Sequence, residues 1–303
     1  MAKTLENYNK RSGTSHTSSL FHYTREWNTL LSILQEGLYF SYSYDDFGLE
    51  FIAIPMICFC DIPLSRNQEH TDRYGDYALG ISKDTLIDTL PHGWWGPVNY
   101  TLSGSAIMVA KFAREKVAEK EEELRSIMDS IKDSTPSETD ANLETYLGNL
   151  SLSIKDFKAI SELEMTIISV RQAISLTLGF IKPFDGLNKE GKRQYNYDEC
   201  EWRVILPEDI KLTNGNTLKW IYDIEDYKRW RGDSKIKPHV DYPPLRFSID
   251  QLRYIIVKSK EELSECVKDI MEMKTFCGSL IDDDIKAQLC SKLFTQDQLN
   301  FDL

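Results

Sequence analysis

Glu199-Cys200-Glu201 runs directly into Trp202-Arg203-Val204-Ile205-Leu206-Pro207, an acidic pair at the mouth of an apolar run that reads as a buried strand. Carboxylates two apart on a strand share one face. Burying them is costly unless each meets a cation or a hydrogen-bond donor. Whatever fold the chain adopts must therefore bring positive charge to this strand, and Arg203 and Lys182 are the candidate partners. Two readings follow. In one, the carboxylates belong to an ion-pair cluster with Arg203. In the other, Glu201 holds a hydroxyl and stabilises a developing oxocarbenium ion while Glu199 orients it or the acceptor.

Three further stretches carry side chains able to do chemistry. His22 stands mid-strand in Phe21-His22-Tyr23-Thr24, with Thr24 on its face; a lone buried imidazole is either a hydrogen-bonded core group or a ligand contact. His70-Thr71-Asp72-Arg73-Tyr74-Gly75-Asp76-Tyr77 places two tyrosines around a glycine turn, as an aromatic platform for a flat heterocycle or as packing on the next strand. Trp220, Tyr222, Tyr227 and Trp230 interleave with Lys228, Arg229 and Arg231, which suits base stacking with phosphate contact, or loop anchoring.

The patterning predicts strands at 19–24, 38–44, 55–62, 77–82, 98–102, 179–183, 245–249 and 252–257, with a first helix over 26–35 stopped by Gly37. Pro55 to Ile62 is almost wholly apolar, as an interior strand requires. From 105 to 178 the texture turns helical: Lys111 to Lys132 is dense in Lys and Glu, with Val117, Leu124, Ile127, Met128 and Ile131 on one face, and a polar break at 133–140 precedes two more helical segments. Amphipathic helices over 260–273 and 281–294 close the chain. The expected class is α+β, a mixed sheet with an inserted helical hairpin or bundle and C-terminal helices. Its expected parts are a flexible N-terminus (1–18), a first half of the core (19–104), the helical insertion (105–178), a second half (179–259) and the terminal helices (260–303).

A net charge of −12 argues against non-specific binding to a polyanion over the whole surface. Six scattered cysteines without a CxxC pair, and five histidines without HExxH spacing, imply core thiols in a reducing compartment and no metal. The polar N-terminus and the lack of an apolar run of about 20 residues point to a cytoplasmic protein that does not meet a membrane.

Leu20 to Thr24, Leu30 to Gly37, Pro55 to Ser65, His70 to Tyr77, Lys182 to Gly186 and Tyr197 to Arg203 occur in an order that resembles the phage abortive-infection proteins of the AbiGi type, with the CFCDIPLS and DECEWR blocks the most specific. The arrangement is also similar, more distantly, to DarT-like ADP-ribosyltransferases. That second resemblance implies a split mixed sheet of the ADP-ribosyltransferase kind, with NAD as substrate. It implies that His22 and Thr24 contact the NAD, that Tyr74, or Tyr77 in its place, packs on the nicotinamide, and that Glu201 is catalytic with Glu199 beside it. The expected function is then an ADP-ribosyltransferase toxin of an anti-phage system, modifying a nucleic acid or a protein and restrained by a cognate antitoxin or co-encoded regulator. The alternative is a non-catalytic antitoxin or regulatory partner in a two-gene abortive-infection system. A weaker one is an RNA-processing enzyme on a related fold.

Overall fold

The computed structural model describes residues 17–302 apart from 47–50, 67–70, 72, 92, 103, 134–144, 148–149, 153, 188–191 and 233–237. Most of the expected flexible N-terminus, together with His70 and Asp72 of the glycine-turn stretch, lies outside the described residues. Along the chain, β1 (Ser19–Thr24) leads to α1 (Trp27–Glu36), β2 (Ser41–Asp46), β3 (Phe51–Cys60), β4 (Tyr77–Ser82), α2 (Asp84–Thr89) and β5 (Trp95–Pro97). Next come α3 (Gly104–Asp133), α4 (Ile154–Gly179), β6 (Glu201–Ile205), α5 (Ile224–Arg231) and β7 (Leu252–Val257). The chain closes with α6 (Leu263–Glu272), α7 (Asp283–Cys290), β8 (Leu293–Thr295) and α8 (Gln296–Asp302). It divides into two compact units, Met1–Leu102 with Lys182–Leu303, and Ser103–Ile181.

The first unit is built on one mixed sheet, so the protein is α+β. Its strands lie in the order β8-β7-β4-β1-β3-β6-β5, with β2 also on β3. All pairings are antiparallel except β7 with β8. The long apolar strand is the axis. One edge of β3 takes β6, from Met56↔Ile205 to Cys60↔Glu201. Met56 also pairs with Ser41, so β2 must run on the other edge, and β1 joins that same edge at Phe21↔Cys60. The sheet is thus split along one side of β3. Pro55, which cannot donate to a ladder, stands one residue beyond the stretch that β6 covers.

Strand alternation sorts side chains onto two faces. Leu20, Ile57, Phe59, Leu79 and Val204 enter the main core, against which α1 lays Leu30 and Leu34, both fully buried. Each such leucine contributes about 1.5–3 kcal/mol. The opposite face buries Phe21 with Ala78, Ile256 and Leu299.

Several expected boundaries move. Leu38 and Leu245 form a single isolated bridge instead of opening two strands, so the strand expected at 245–249 is absent and β2 begins at Ser41. Residues 281–294 are not one helix: α7 stops at Cys290 and the chain turns to add β8 alongside β7.

In the second unit α3 and α4 form a helical hairpin, with a short ribbon of Thr145–Leu147 and Leu150–Leu152 between them. A single helix, α4, stands where two segments were expected. Its seam with α3 contains a buried ion pair, Arg171 Nε to Glu121 Oε2 at 2.6 Å.

Candidate functional site

Glu199 closes a 3-10 turn, Asn196–Glu199, and Cys200 then takes a left-handed conformation, φ 44°, before β6 begins at Glu201. Such a backbone costs a non-glycine residue about 1–2 kcal/mol. It swings the two carboxylates onto a common cation: Lys182 Nζ lies 2.6 Å from Glu199 Oε2 and 2.7 Å from Glu201 Oε2. Arg73 Nη1 meets the other oxygen of Glu199 at 2.7 Å. On the far side, Arg203 Nε holds Glu201 Oε1 at 2.7 Å, while its two terminal nitrogens grip both oxygens of Asp45 at 2.8 and 3.0 Å. The result is a line of alternating charge, Arg73, Glu199, Lys182, Glu201, Arg203 and Asp45, balanced in sign, with the glutamates and Arg203 buried and the side chains of Arg73 and Lys182 still 22 and 15% exposed. Glu199, Glu201 and Arg203 are 2, 5 and 1% exposed.

The electrostatics follow from that geometry. Burial alone would raise the Glu201 carboxyl, but Arg203 and Lys182 more than reverse this and hold it at about 2. Lys182 also suffers from burial, yet Glu201 and Glu199 keep it protonated well above its usual range. Cys58 and Cys60 share this face, opposite Arg203 and Glu201. Burial, then Glu201, pushes both thiols up, so they are poor nucleophiles. The Glu201 amide donates to the Tyr100 hydroxyl at 2.9 Å, and the Val98 amide donates to the Glu201 carbonyl at 2.9 Å.

The six residues expected to form a site fall into two groups: Tyr74, Glu199 and Glu201 come together, and His22, Thr24 and Tyr77 do not join them. β3 lies between β1 and β6, so His22 and Glu201 are not on neighbouring strands. Phe21 and Glu201 both stand opposite Cys60, so His22, one residue on, projects from the other face. There His22 donates Nδ1–H to the Cys58 carbonyl at 2.8 Å and packs edge-on against Phe59. Burial lowers its pKa and the hydrogen bond offsets this in part. Thr24 lies on the same face, buried, its hydroxyl donating to the Glu26 carbonyl at 3.2 Å just before α1. Tyr77, opposite Thr24, packs on Trp27 and donates to Glu262 at 2.6 Å. Tyr74 is half-buried on the Glu201 side, against Tyr23 and hydrogen-bonded to Glu199. The sheet therefore separates His22, Thr24 and Tyr77 from Tyr74, Glu199 and Glu201.

The aromatic-basic stretch is an anchor. Trp220 is buried and donates to the Leu206 carbonyl at 2.9 Å, and Tyr222 donates to Glu208 at 3.2 Å. Tyr227 and Trp230 pack on Tyr44 and Tyr42, while Lys228 and Arg229 pair with Glu225 and Asp226 of their own helix. Sequence reasoning named Lys182 and Arg203 as partners for the glutamates but missed Asp45 and Tyr100; only the strand pattern that runs up to Tyr44 hinted at Asp45.

Residues 38–258 match the family model described as "Putative abortive phage resistance protein AbiGi, antitoxin". Neither a curated protein nor a solved structure matches the chain. The expectation of an NAD-dependent ADP-ribosyltransferase toxin is thereby corrected: the matching family is described as an antitoxin, the alternative reading of the sequence. No described helix is long and apolar enough to cross a membrane.

Proposed function

The chain belongs to the AbiGi family of abortive phage resistance proteins, and on that premise we propose that it is the antitoxin of a two-gene abortive-infection pair, restraining a co-encoded toxin by binding it. The single observation that carries this reading is the family match across residues 38–258. The state of the carboxylates agrees with it: Glu199 and Glu201 are spent on Arg73, Lys182 and Arg203, with no oxygen left facing solvent chemistry. In this reading the cluster fixes the strands around it. It ties the segments on either side of the helical insertion, through Tyr100 and Lys182, to the mouth of β6.

The split of the sheet along one edge of β3 supports an ADP-ribosyltransferase-like frame for the two halves of the core, 19–104 and 179–259, with the helical hairpin inserted between them. Co-expression with the neighbouring gene's product, followed by affinity capture of this chain, tests the function. The two proteins are expected to co-purify in fixed ratio. Recovery of this chain alone, from cells that make both, would overturn the proposal.

A further inference from the structure

β1 begins at a hollow on the sheet face that lies opposite the main core. The hollow, of about 360 Å³, is lined by Phe21 and Tyr254 from the sheet, by Pro63 and Leu64 beyond β3, and by Thr17 and Ser19 where the chain enters β1. Its floor is aromatic. The Phe21 and Tyr254 rings lie 5.8 Å apart at 30°, and Phe294 of β8 packs edge-on against Tyr254 at 5.6 Å. Gly80 of β4 permits this approach, since a Cβ there would stand 2.7 Å from Phe21 Cε1 and 2.8 Å from Tyr254 Cδ2.

Ser19 stands two residues before Phe21 and so shares its face. It is 4% exposed, and its hydroxyl has no hydrogen-bond partner among the described residues, although its amide donates to Thr17 Oγ1 at 3.2 Å. A buried hydroxyl without a partner is rare, and this one borders a hollow. The charges nearby are spent on each other. Asp61, which is buried, takes Lys83 Nζ at 2.7 Å on one oxygen and the Thr17 amide at 3.1 Å on the other. Among the described residues no charged side chain lines the hollow. What fits it is therefore uncharged, flat enough to lie on aromatic rings, and able to hydrogen-bond at one edge.

We propose that this hollow binds an uncharged heteroaromatic molecule, a purine or pyrimidine base or its nucleoside, with the ring against Tyr254 and Leu64 and the polar edge on Ser19 Oγ. A hydroxyl both donates and accepts, so either kind of edge group satisfies it. Aromatic rings hold a flat ring by more than the area it buries. The volume sits near the lower end of the roughly 300–1,000 Å³ of small-molecule pockets, which suits one ring system with a single substituent. A phosphate gains nothing here, because Lys83 is already paired with Asp61. None of the lining residues belongs to the charge line from Arg73 to Asp45. The inference does not rest on the antitoxin reading.

Titration calorimetry of the full chain with adenine, uracil, adenosine and uridine tests it, with adenosine monophosphate, benzene and N-acetyltyrosinamide as comparisons. At least one base or nucleoside is expected to bind saturably, and more tightly than any of the three comparisons. Ser19→Ala should weaken that binding ~10-fold, a change of about 1.4 kcal/mol. It should not lower the melting midpoint, because the hydroxyl has no described partner to lose. Leu64→Trp, which places a bulky ring in the hollow, should abolish binding; if that variant does not fold, Ser19→Ala decides. Failure of every base and nucleoside to bind would overturn the proposal, and so would binding that Ser19→Ala leaves unchanged. Tightest binding by benzene would mark a purely apolar hollow, by the monophosphate an anion site, and by N-acetyltyrosinamide a seat for a side chain of another protein. Each of these three results also overturns it.

Discussion

Lys182 holds two carboxylates at once, so its removal leaves Glu199 and Glu201 facing each other inside the protein with one arginine apiece. Lys182→Met should cost about 3–5 kcal/mol, the usual penalty for breaking a buried ion pair on one side, read as a lower midpoint in urea. A loss below about 1 kcal/mol, the range of an exposed pair, would show that the cluster is not buried. The pH dependence has two parts with the same sign. Glu201 is held at about 2 against a usual 4.5, so its contribution is complete above about pH 4.5 and is lost as pH falls toward 2. His22 is lowered from 6.5 by burial, so the unfolded chain binds a proton first and stability begins to fall below about pH 6.5. Stability measured between pH 7 and 3 should therefore decline in two stages, and His22→Gln should remove the upper one. The cations for the glutamates were legible because buried carboxylates demand them. The partition of the six residues was not, since it depends on β3 lying between β1 and β6, a fact of register that no local pattern encodes.

At the scale of elements, the turn into β4 depends on Gly75, whose φ of 121° lies in the left-handed half of backbone space. A Cβ there would sit 2.1 Å from the Thr24 carbonyl oxygen, at the end of β1. Backbone cannot yield as a flexible side chain can, so Gly75→Ala should destabilise by more than the ~1 kcal/mol typical of a point substitution, with the loss visible in the melting midpoint. An unchanged midpoint would mean that this turn is not packed against β1. Elements with a long apolar period were readable: β1, β4, β7 and α1 stand within a residue of where the pattern put them. Those that were not are short or depend on distant partners. β5, β8 and the ribbon between α3 and α4 have three residues per strand, too few for alternation to declare itself. The left-handed Cys200, which sets the geometry of the glutamates, carries no sequence mark, since glycine or asparagine would be the usual choice there.

For the whole molecule, one acidic tract admits two lives. The order of motifs along the chain was enough to identify the family, but not enough to choose between toxin and antitoxin, because the Asp-Glu-Cys-Glu-Trp-Arg block by itself admits both an ion-pair cluster and a catalytic pair, and only the closure of Lys182, Arg203 and Asp45 around it displays the clamp. As an antitoxin, the protein acts on its partner by binding. The most direct measurement is the growth of cells induced to make the co-encoded protein alone, this chain alone, or both. The co-encoded protein alone is expected to slow growth, this chain alone is not, and making both is expected to restore the uninduced rate. Slowed growth with this chain alone, relieved by the co-encoded protein, would contradict the antitoxin reading.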